Sequence, residues 1–254
     1  MTSGFLDLPD RKLEVARWPG EAPALLLLHE ALGCVELWRE FPQALAERTA
    51  CQVIAYSRHG FGKSNPEPLP RPLTNLSVGA PDELGRVLDA LQLQSVILVG
   101  HSDGGTISIA YGARNDSRVR GIVTMAAHVF VEPITTQGVS QAVEMAKTNT
   151  LLEKLKIYHG EKNESVYRGW CGTWLDPAFR HWNLFEKLPL IGVPVLAFQG
   201  ADDQYGTAKQ LAEMAARIPR CQTRLLPNCR HVPHREAPEE TLRLIAEFVR
   251  SSSP

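Results

Sequence analysis

One ten-residue segment constrains the fold more than any other part of the chain. Residues 96–105 read Val-Ile-Leu-Val-Gly-His-Ser-Asp-Gly-Gly, and a helix-compatible stretch follows at 106–113. The apolar, β-branched run predicts a buried strand, and the glycines predict a sharp turn into the helix. Gly100 and Gly104 flank Ser102 at positions where a side chain would clash in such a turn. The pattern therefore predicts that Ser102 stands at the carboxyl end of a strand, beside the N–H groups that begin a helix.

Apolar runs alternate with helical patterns along most of the chain. This alternation is typical of a mostly parallel sheet with helices on both faces. The runs predicted as strands are 24–29, 52–56, 95–100, 121–126, 193–199 and 223–226. Helices are predicted near 37–49, 82–92, 104–114, 207–218 and 238–250. Segments 5–8 and 12–17 suit an antiparallel hairpin at the sheet edge, and a length of 254 residues suits one large domain with an insertion.

The alternation breaks once, at residues 130–188. This segment loses strand character and becomes helical, polar and rich in tryptophan. An insertion after the strand at 121–126 would cover the carboxyl edge of the sheet, where open α/β sheets bind ligands. We therefore interpret 130–188 as a small helical cap on a core formed by 1–129 and 189–254. The alternative is a surface excursion unrelated to substrate.

The predicted cap carries aromatic and polar side chains whose roles the sequence leaves open. The aromatic ones either line a substrate pocket or form the cap's own small core: Tyr158, Tyr167, Trp170, Trp174, Phe179 and Trp182. For the polar ones, a surface position is the expectation and contact with a substrate carboxylate the alternative: Lys154, Lys156, His159 and Arg168. The cap sequence alone therefore does not identify the substrate.

Two further loops carry the residue types that activate a serine. A serine hydroxyl is a weak nucleophile at neutral pH and needs a general base that is itself oriented by a carboxylate. Asp202 and Asp203 follow one of the later predicted strands, and His231 and His234 follow the next. Because the carboxyl ends of parallel strands meet at one edge of the sheet, we expect an aspartate and a histidine to approach the serine.

Five segments in this order resemble the α/β-hydrolase fold superfamily. LLLLHEALG resembles its oxyanion strand and loop, and YSRHGFGKS resembles its tight G-x-G-x-S loop. GHSDGG matches the nucleophile turn, QGADD the acid loop, and RHVPHREAP the histidine loop. The resemblance covers most of the chain. It implies an α/β fold with a mostly parallel eight-stranded sheet flanked by helices, and a small helical cap inserted after the sixth strand.

By position in these motifs, the resemblance implies a Ser-His-Asp triad. Ser102 becomes the nucleophile, His231 the base and Asp203 the acid. The acid of the family usually lies three residues after the loop glycine, which favours Asp203 over Asp202. The histidine of the family precedes the glutamate of RHVPHREAP by five residues, which favours His231 over His234. His234 is then expected at the pocket rim or in packing.

The loop after the first parallel strand departs from the family pattern. By analogy with a His-Gly-x motif, the backbone N–H of Ala31 joins that of Asp103 in holding the oxyanion of a tetrahedral intermediate. Glu30 stands where glycine is usual, which is similar to dienelactone hydrolases, although those enzymes use cysteine as the nucleophile. Two interpretations of Glu30 stay open. It contacts the nucleophile or a polar group of the substrate, or it forms an ion pair with Arg58 or Arg39.

The resemblance implies hydrolysis without a cofactor. Serine at the turn argues against haloalkane dehalogenase and epoxide hydrolase chemistry, since those relatives use aspartate there. We expect a serine hydrolase that cleaves a small carboxylic ester or lactone through an acyl-enzyme. A C–C bond hydrolase, an acyltransferase and a non-catalytic ligand-binding protein are the alternatives. Because the base must be neutral to accept a proton, the rate should rise as pH climbs through roughly 6–7.

Composition narrows the expected partners and compartment. The net charge of −1 gives no indication of a nucleic-acid or anionic-membrane partner. We find no signal-peptide pattern, and the apolar run 24–28 is too short to span a bilayer. The five cysteines form no C-x-x-C pair and the histidines lack metal-ligand spacing, so we expect no metal and buried thiols in a reducing cytoplasm. Association into a homodimer, common in the family, is left open.

Overall fold

The computed structural model describes residues 1–147 and 150–252. The strands of its central sheet are β1 Thr2–Leu8, β2 Arg11–Trp18, β3 Glu21–Leu28, β4 Cys51–Tyr56, β5 Val96–His101, β6 Val119–Met125, β7 Val195–Gly200 and β8 Cys221–Leu226. They lie in the order β1-β2-β4-β3-β5-β6-β7-β8. β2 is antiparallel to both β1 and β4, and the remaining neighbours are parallel. The predicted mostly parallel, eight-stranded sheet is therefore confirmed.

Helices flank this sheet. They are α1 Phe41–Thr49, α2 Ala80–Ala90, α3 Asp103–Gly112, α4 Pro133–Ala146, α5 Leu151–His159, α6 Asn163–Trp174, α7 Lys209–Arg217, α8 Pro233–Glu236 and α9 Pro238–Ser252. The helix predicted near 37–49 is divided, because a separate 3₁₀ turn, Val35–Trp38, precedes α1. Arg39 ends that turn with a φ of 54°, a left-handed conformation that does not continue a helix.

The central parallel strands β5, β6 and β7 are buried on both faces and contribute to two cores, whereas the edge strand β8 is largely exposed. In β5, Val96 and Leu98 belong to one core, and Ile97 and Val99 belong to the other. Helices α2, α3 and α7 complete the first core, and α1 and α9 complete the second. Burial on both faces explains why these strands read as continuous apolar runs rather than as alternating patterns.

Helices α4, α5 and α6 follow β6 in the chain and precede β7, within the segment predicted as a cap. Helix α6 contacts both α4 and α5. Side chains of α4 and α6 line a cavity that Ser102 also lines, beyond the carboxyl end of β5. The insertion thus lies where the sequence predicts a cap, whereas the division into a separate core and cap stays a prediction. Over the two described stretches of chain, no helix is both long and apolar enough to cross a membrane.

Candidate active site

The corner between β5 and α3 holds Ser102. This residue alone joins the strand to the helix, with φ 50° and ψ −118°. Its N–H donates to the carbonyl of Met125 on β6 over 2.8 Å. The helix that follows packs directly on β3, since a Cβ at Gly104 would overlap the carbonyl oxygen of Leu28. The close approach of two backbones explains why glycine is needed there.

Ser102, His231 and Asp203 form one continuous hydrogen-bonded chain. The Oγ of Ser102 lies 3.0 Å from Nε2 of His231, and Nδ1 of His231 lies 2.9 Å from each carboxylate oxygen of Asp203. All three side chains are buried. Because Nδ1 faces a carboxylate it carries the proton of the neutral ring, which leaves Nε2 to accept the serine hydroxyl. Burial acts to raise the pKa of Asp203, but hydrogen bonding to His231 holds that pKa below its usual value.

Asp202 and His234, the alternatives to Asp203 and His231, take no part in this hydrogen-bonded chain. Asp202 is exposed, and its backbone N–H donates to the carbonyl of Cys229. The ring of His234 is buried. Its centroid lies 4.9 Å from that of the Trp38 ring and 5.3 Å from that of the Phe41 ring. Burial, with smaller contributions from nearby cationic groups, lowers the pKa of His234 to about 3. In the structure His231 meets the serine and Asp203 meets His231, whereas His234 packs among aromatic rings at the cavity wall.

The two residues whose backbone N–H groups are expected to hold an oxyanion line the same cavity as the serine. Ala31 and Asp103 are both buried, and both line the cavity that Ser102 lines. Within 1–147 and 150–252, neither backbone N–H donates to a protein acceptor. Asp103 is the first residue of α3, so its N–H is one of the unpaired donors at a helix start. That these two N–H groups hold an oxyanion stays a prediction.

Of the contacts proposed for Glu30, the described residues show neither an arginine ion pair nor a hydrogen bond to the nucleophile, and contact with a polar group of a substrate stays a prediction. Glu30 is half-buried and lines the cavity, and its carboxylate accepts the N–H of Leu32. Across the described chain there is no ion pair with Arg58 or Arg39 and no hydrogen bond to Ser102. Arg58 donates instead to the backbone carbonyl of Glu30, at 3.0 Å. Burial raises the pKa of the Glu30 carboxyl, although the Leu32 amide opposes this shift.

A cavity of about 490 Å³ adjoins the serine. Most of its wall is apolar, and the apolar residues that line it include Leu32, Leu37, Trp38, Val139, Ala142, Trp170 and Trp174. Behind this wall the rings of Phe179 and Trp182 pack 5.4 and 6.4 Å from that of Trp174. Both uses of the aromatic residues therefore occur, since some line the cavity and others form a small core behind it.

His159 departs from the surface position expected of it. Its ring is buried, its Nδ1 accepts the N–H of Gly62 at 2.9 Å, and its Nε2 donates to the carbonyl of Leu32 at 2.9 Å. Burial lowers the pKa of His159, which favours the neutral ring that this bonding needs. His159 therefore joins α5 to two loops of the sheet edge.

Sequence reasoning also missed Tyr205, whose ring lies 4.8 Å from that of His231. An aromatic residue two positions after the acid was the available signal. Over the part of the chain that the structure describes, no three His, Cys, Asp or Glu side chains are grouped to hold a metal ion. All five cysteines are free thiols.

Comparison with known proteins finds a matching family and several similar proteins. The sequence model of a family described as alpha/beta hydrolase fold matches residues 23–190. Serine hydrolase BPHL of Mus musculus is 25% identical over 207 residues, covering 78% of this chain and 69% of that protein. The pimeloyl-[acyl-carrier protein] methyl ester esterase of Nitrosospira multiformis is 24% identical over 264 residues, covering 91% and 96%.

The enol-lactonase from Burkholderia xenovorans LB400 has a similar solved structure. Its TM-score is 0.75 at 18% sequence identity, covering 97% of this chain and 100% of that one. At this identity the likeness shows a shared fold alone.

Proposed function

Because the chain belongs to the α/β-hydrolase fold family, we propose that it is a serine hydrolase that cleaves small carboxylic esters or lactones. The observation that carries the proposal is the hydrogen-bonded chain from Ser102 through His231 to Asp203. This geometry supplies a nucleophile, a neutral base and a carboxylate that orients the base.

In the first step, Oγ of Ser102 attacks the carbonyl carbon of the substrate. Nε2 of His231, 3.0 Å away, accepts the hydroxyl proton as the new C–O bond forms. Asp203 keeps Nδ1 protonated and stabilises the imidazolium that results, without taking its proton. His231 then gives the proton on Nε2 to the leaving alkoxide, and the acyl group stays on the serine.

The carbonyl oxygen becomes an anion in the tetrahedral intermediate. The N–H groups of Ala31 and Asp103 are proposed to hold this oxyanion. Each preorganised donor of this kind contributes roughly 3 kcal/mol to the transition state in related chemistry. The position of Asp103 at the start of α3 adds the favourable dipole of a helix N-terminus.

A water molecule completes the cycle. His231, again neutral, removes a proton from this water, and the hydroxide attacks the acyl carbon. Collapse of the second tetrahedral intermediate releases the acid and returns the proton to Ser102. The proposed reaction consumes only substrate and water and needs no cofactor.

The largely apolar cavity supports the proposal that the substrate is an ester or lactone whose acyl or alcohol part is apolar. One relative is a methyl ester esterase, and one structural neighbour is an enol-lactonase. The segment 130–188 is proposed to act as the cap that closes over this group. We also propose that the partner is a small-molecule substrate and that the protein acts in the cytoplasm.

A substrate panel tests this function. Wild-type protein should hydrolyse p-nitrophenyl esters or simple lactones, and Ser102→Ala should lower kcat/KM by about 10⁴-fold or more. Ser165→Ala on α6 serves as the matched control, because Ser165 does not line the cavity. Product analysis with and without an added alcohol separates hydrolysis from acyl transfer. Hydrolysis by Ser102→Ala at the wild-type rate would contradict the proposal.

A further inference from the structure

The backbone of Tyr205 is held on both sides of its Cα atom, in the two peptide groups that meet there. Its N–H donates to Oδ1 of Asp203 over 2.8 Å. Its carbonyl accepts two hydrogen bonds, from Oγ1 of Thr135 at 2.6 Å and from Nε2 of His128 at 3.0 Å. Burial lowers the pKa of His128, so the ring stays neutral and carries its proton on the nitrogen that faces this carbonyl. The carbonyl lies in the peptide group after the Cα of Tyr205 and the N–H in the one before it, so two side chains outside the acid loop hold the backbone from which this N–H reaches the acid.

The side chain of Tyr205 lies between His231 and helix α4. Its ring meets that of His231 edge-on, with centroids 4.8 Å apart and planes at 66°. On the other side is Gly138 of α4, where a Cβ would come within 2.9 Å of the tyrosine ring and 2.6 Å of the carbonyl oxygen of Gln204. Helix α4 thus contacts the acid loop so closely that only glycine fits at this position.

The N-terminus of α4 is anchored to the same loop. Glu132, directly before the helix, is buried, and its carboxylate accepts three hydrogen bonds from beyond the helix. They come from the N–H of Thr207 at 2.9 Å, its hydroxyl at 2.6 Å, and Nε2 of Gln210 at 2.8 Å. A buried carboxylate with this many donors holds its neighbours in one arrangement. Because Glu132 holds the start of α4 against Thr207 and Gln210, the fold determines where Thr135 meets Tyr205.

We propose that Thr135 and Tyr205 are positioning residues, through which helix α4 holds Asp203 and His231 in the geometry that proton transfer needs. The inference rests on the proposed function of the Ser102 chain. Thr135 holds the Tyr205 carbonyl and so the position of the Tyr205 backbone, the N–H of that residue holds the carboxylate of Asp203, and the tyrosine ring limits rotation of the imidazole. Neither residue contacts the reacting atoms, so both act on kcat through the acid and the base.

Substitutions on α4 test the first contact. Thr135→Val keeps the shape of the side chain but removes the donor to Tyr205, and it should lower kcat about tenfold with KM little changed. Thr135→Ser keeps the hydroxyl and should restore kcat to within about twofold of wild type. Thr136→Val is the matched control, because the Thr136 hydroxyl is exposed and donates only to Pro133 of its own helix.

A spectroscopic readout separates positioning from loss of structure and from failure of the proposed function. The proton between His231 and Asp203 should give a far-downfield resonance in the proton NMR spectrum of the resting protein. Thr135→Val should shift or broaden this resonance, and Thr135→Ser should not. If wild type cleaves no ester or lactone but the resonance responds in this way, the proposed function fails and the positioning inference stands. Wild-type kcat together with an unmoved resonance in folded Thr135→Val would overturn the inference.

The tyrosine ring provides a second variant, which carries the test if Thr135→Val does not fold. Tyr205→Phe keeps the ring against His231, and Tyr205→Leu removes it. We expect Tyr205→Leu to lower kcat by about tenfold and to displace the acidic limb of the kcat/KM profile, while Tyr205→Phe resembles wild type. Equal kcat values and superimposable pH profiles for the two folded variants would contradict a role for the ring.

Discussion

Ser102 has a backbone conformation that few residues other than glycine adopt, with a φ of 50°. Such strain costs of order 1–3 kcal/mol and persists only where the surroundings fix it. Here the N–H of Ser102 is held by the carbonyl of Met125, and its Oγ lies 3.0 Å from His231. At the residue scale, the strained backbone and these hydrogen bonds together orient the hydroxyl of Ser102 toward the imidazole of His231.

The acid offers a matched pair of substitutions. Asp203→Asn should lower kcat by about 10³–10⁴-fold, because an amide stabilises the imidazolium poorly and favours the tautomer with hydrogen on Nε2. Asp202→Asn changes the neighbouring exposed carboxylate in the same way and should leave kcat within about twofold of wild type. Steady-state kinetics on an ester substrate measures both. Equal kcat values for the two variants would show that Asp203 is not the orienting acid.

His234 predicts a pH dependence of stability. Its pKa is lowered from 6.5 to about 3 in the folded protein, chiefly by burial, with Arg235 and His231 adding to the effect. The unfolded chain therefore binds more protons between these values, so stability falls as pH drops below about 6.5. This one group should remove about 2–3 kcal/mol from the free energy of unfolding between pH 7 and 4.5.

His234→Phe fits the aromatic surroundings of Trp38 and Phe41 and cannot titrate. The free energy of unfolding in urea should accordingly lose about 2–3 kcal/mol less than in wild type over that pH interval. His181→Gln, at an exposed position, is the control and should follow wild type. If His234→Phe shows the wild-type loss, the ring is not held neutral in the folded state.

At the scale of elements, β3, β5 and α3 meet at backbone distance around the serine. A Cβ at Gly100 would overlap the carbonyl of Gly104, and a Cβ at Gly104 would overlap that of Leu28. The start of α3 therefore presses directly on two strands, and this contact places the N–H of Asp103 beside the serine. Helix α4 also packs closely, since a Cβ at Gly138 would lie within 2.9 Å of the Tyr205 ring.

Two glycine substitutions test this packing. Gly104→Ala should lower the free energy of unfolding by about 3 kcal/mol or more, because only backbone atoms surround the new methyl group. Gly172→Ala, on the exposed side of α6 with no atom within 4 Å of the added Cβ, should raise it by about 0.5–1 kcal/mol. Chemical denaturation compares the two. A Gly104→Ala protein as stable as wild type would show that the two backbones are free to separate.

At the scale of the whole molecule, one sheet edge gathers residues that are far apart in the chain. The serine follows β5, the acid follows β7 and the histidine follows β8, and their carboxyl ends lie side by side because β5 to β8 are parallel neighbours. Helices α4 and α6 contribute the opposite wall of the cavity. The topology therefore assembles the candidate site, and the insertion bounds the space before it.

Strand pattern and motif order made much of this arrangement predictable. The central predicted strands overlap the observed ones because buried parallel strands are continuous apolar runs, and the resemblance to the family implied the order serine, acid, histidine. His159 was not predictable in this way, since its partners Gly62 and Leu32 lie 97 and 127 residues away. The contacts of Tyr205 with Thr135 and His128 likewise span 70 and 77 residues. No local pattern reports such pairings.

The central claim is that Ser102 is an activated nucleophile. A fluorophosphonate probe, which reacts with activated serines, tests it most directly when the modified peptide is located by mass spectrometry. We predict stoichiometric modification at Ser102 in the wild type and none in Ser102→Ala. A folded wild-type protein that stays unmodified, or a Ser102→Ala variant modified to the same extent as wild type, would contradict the claim.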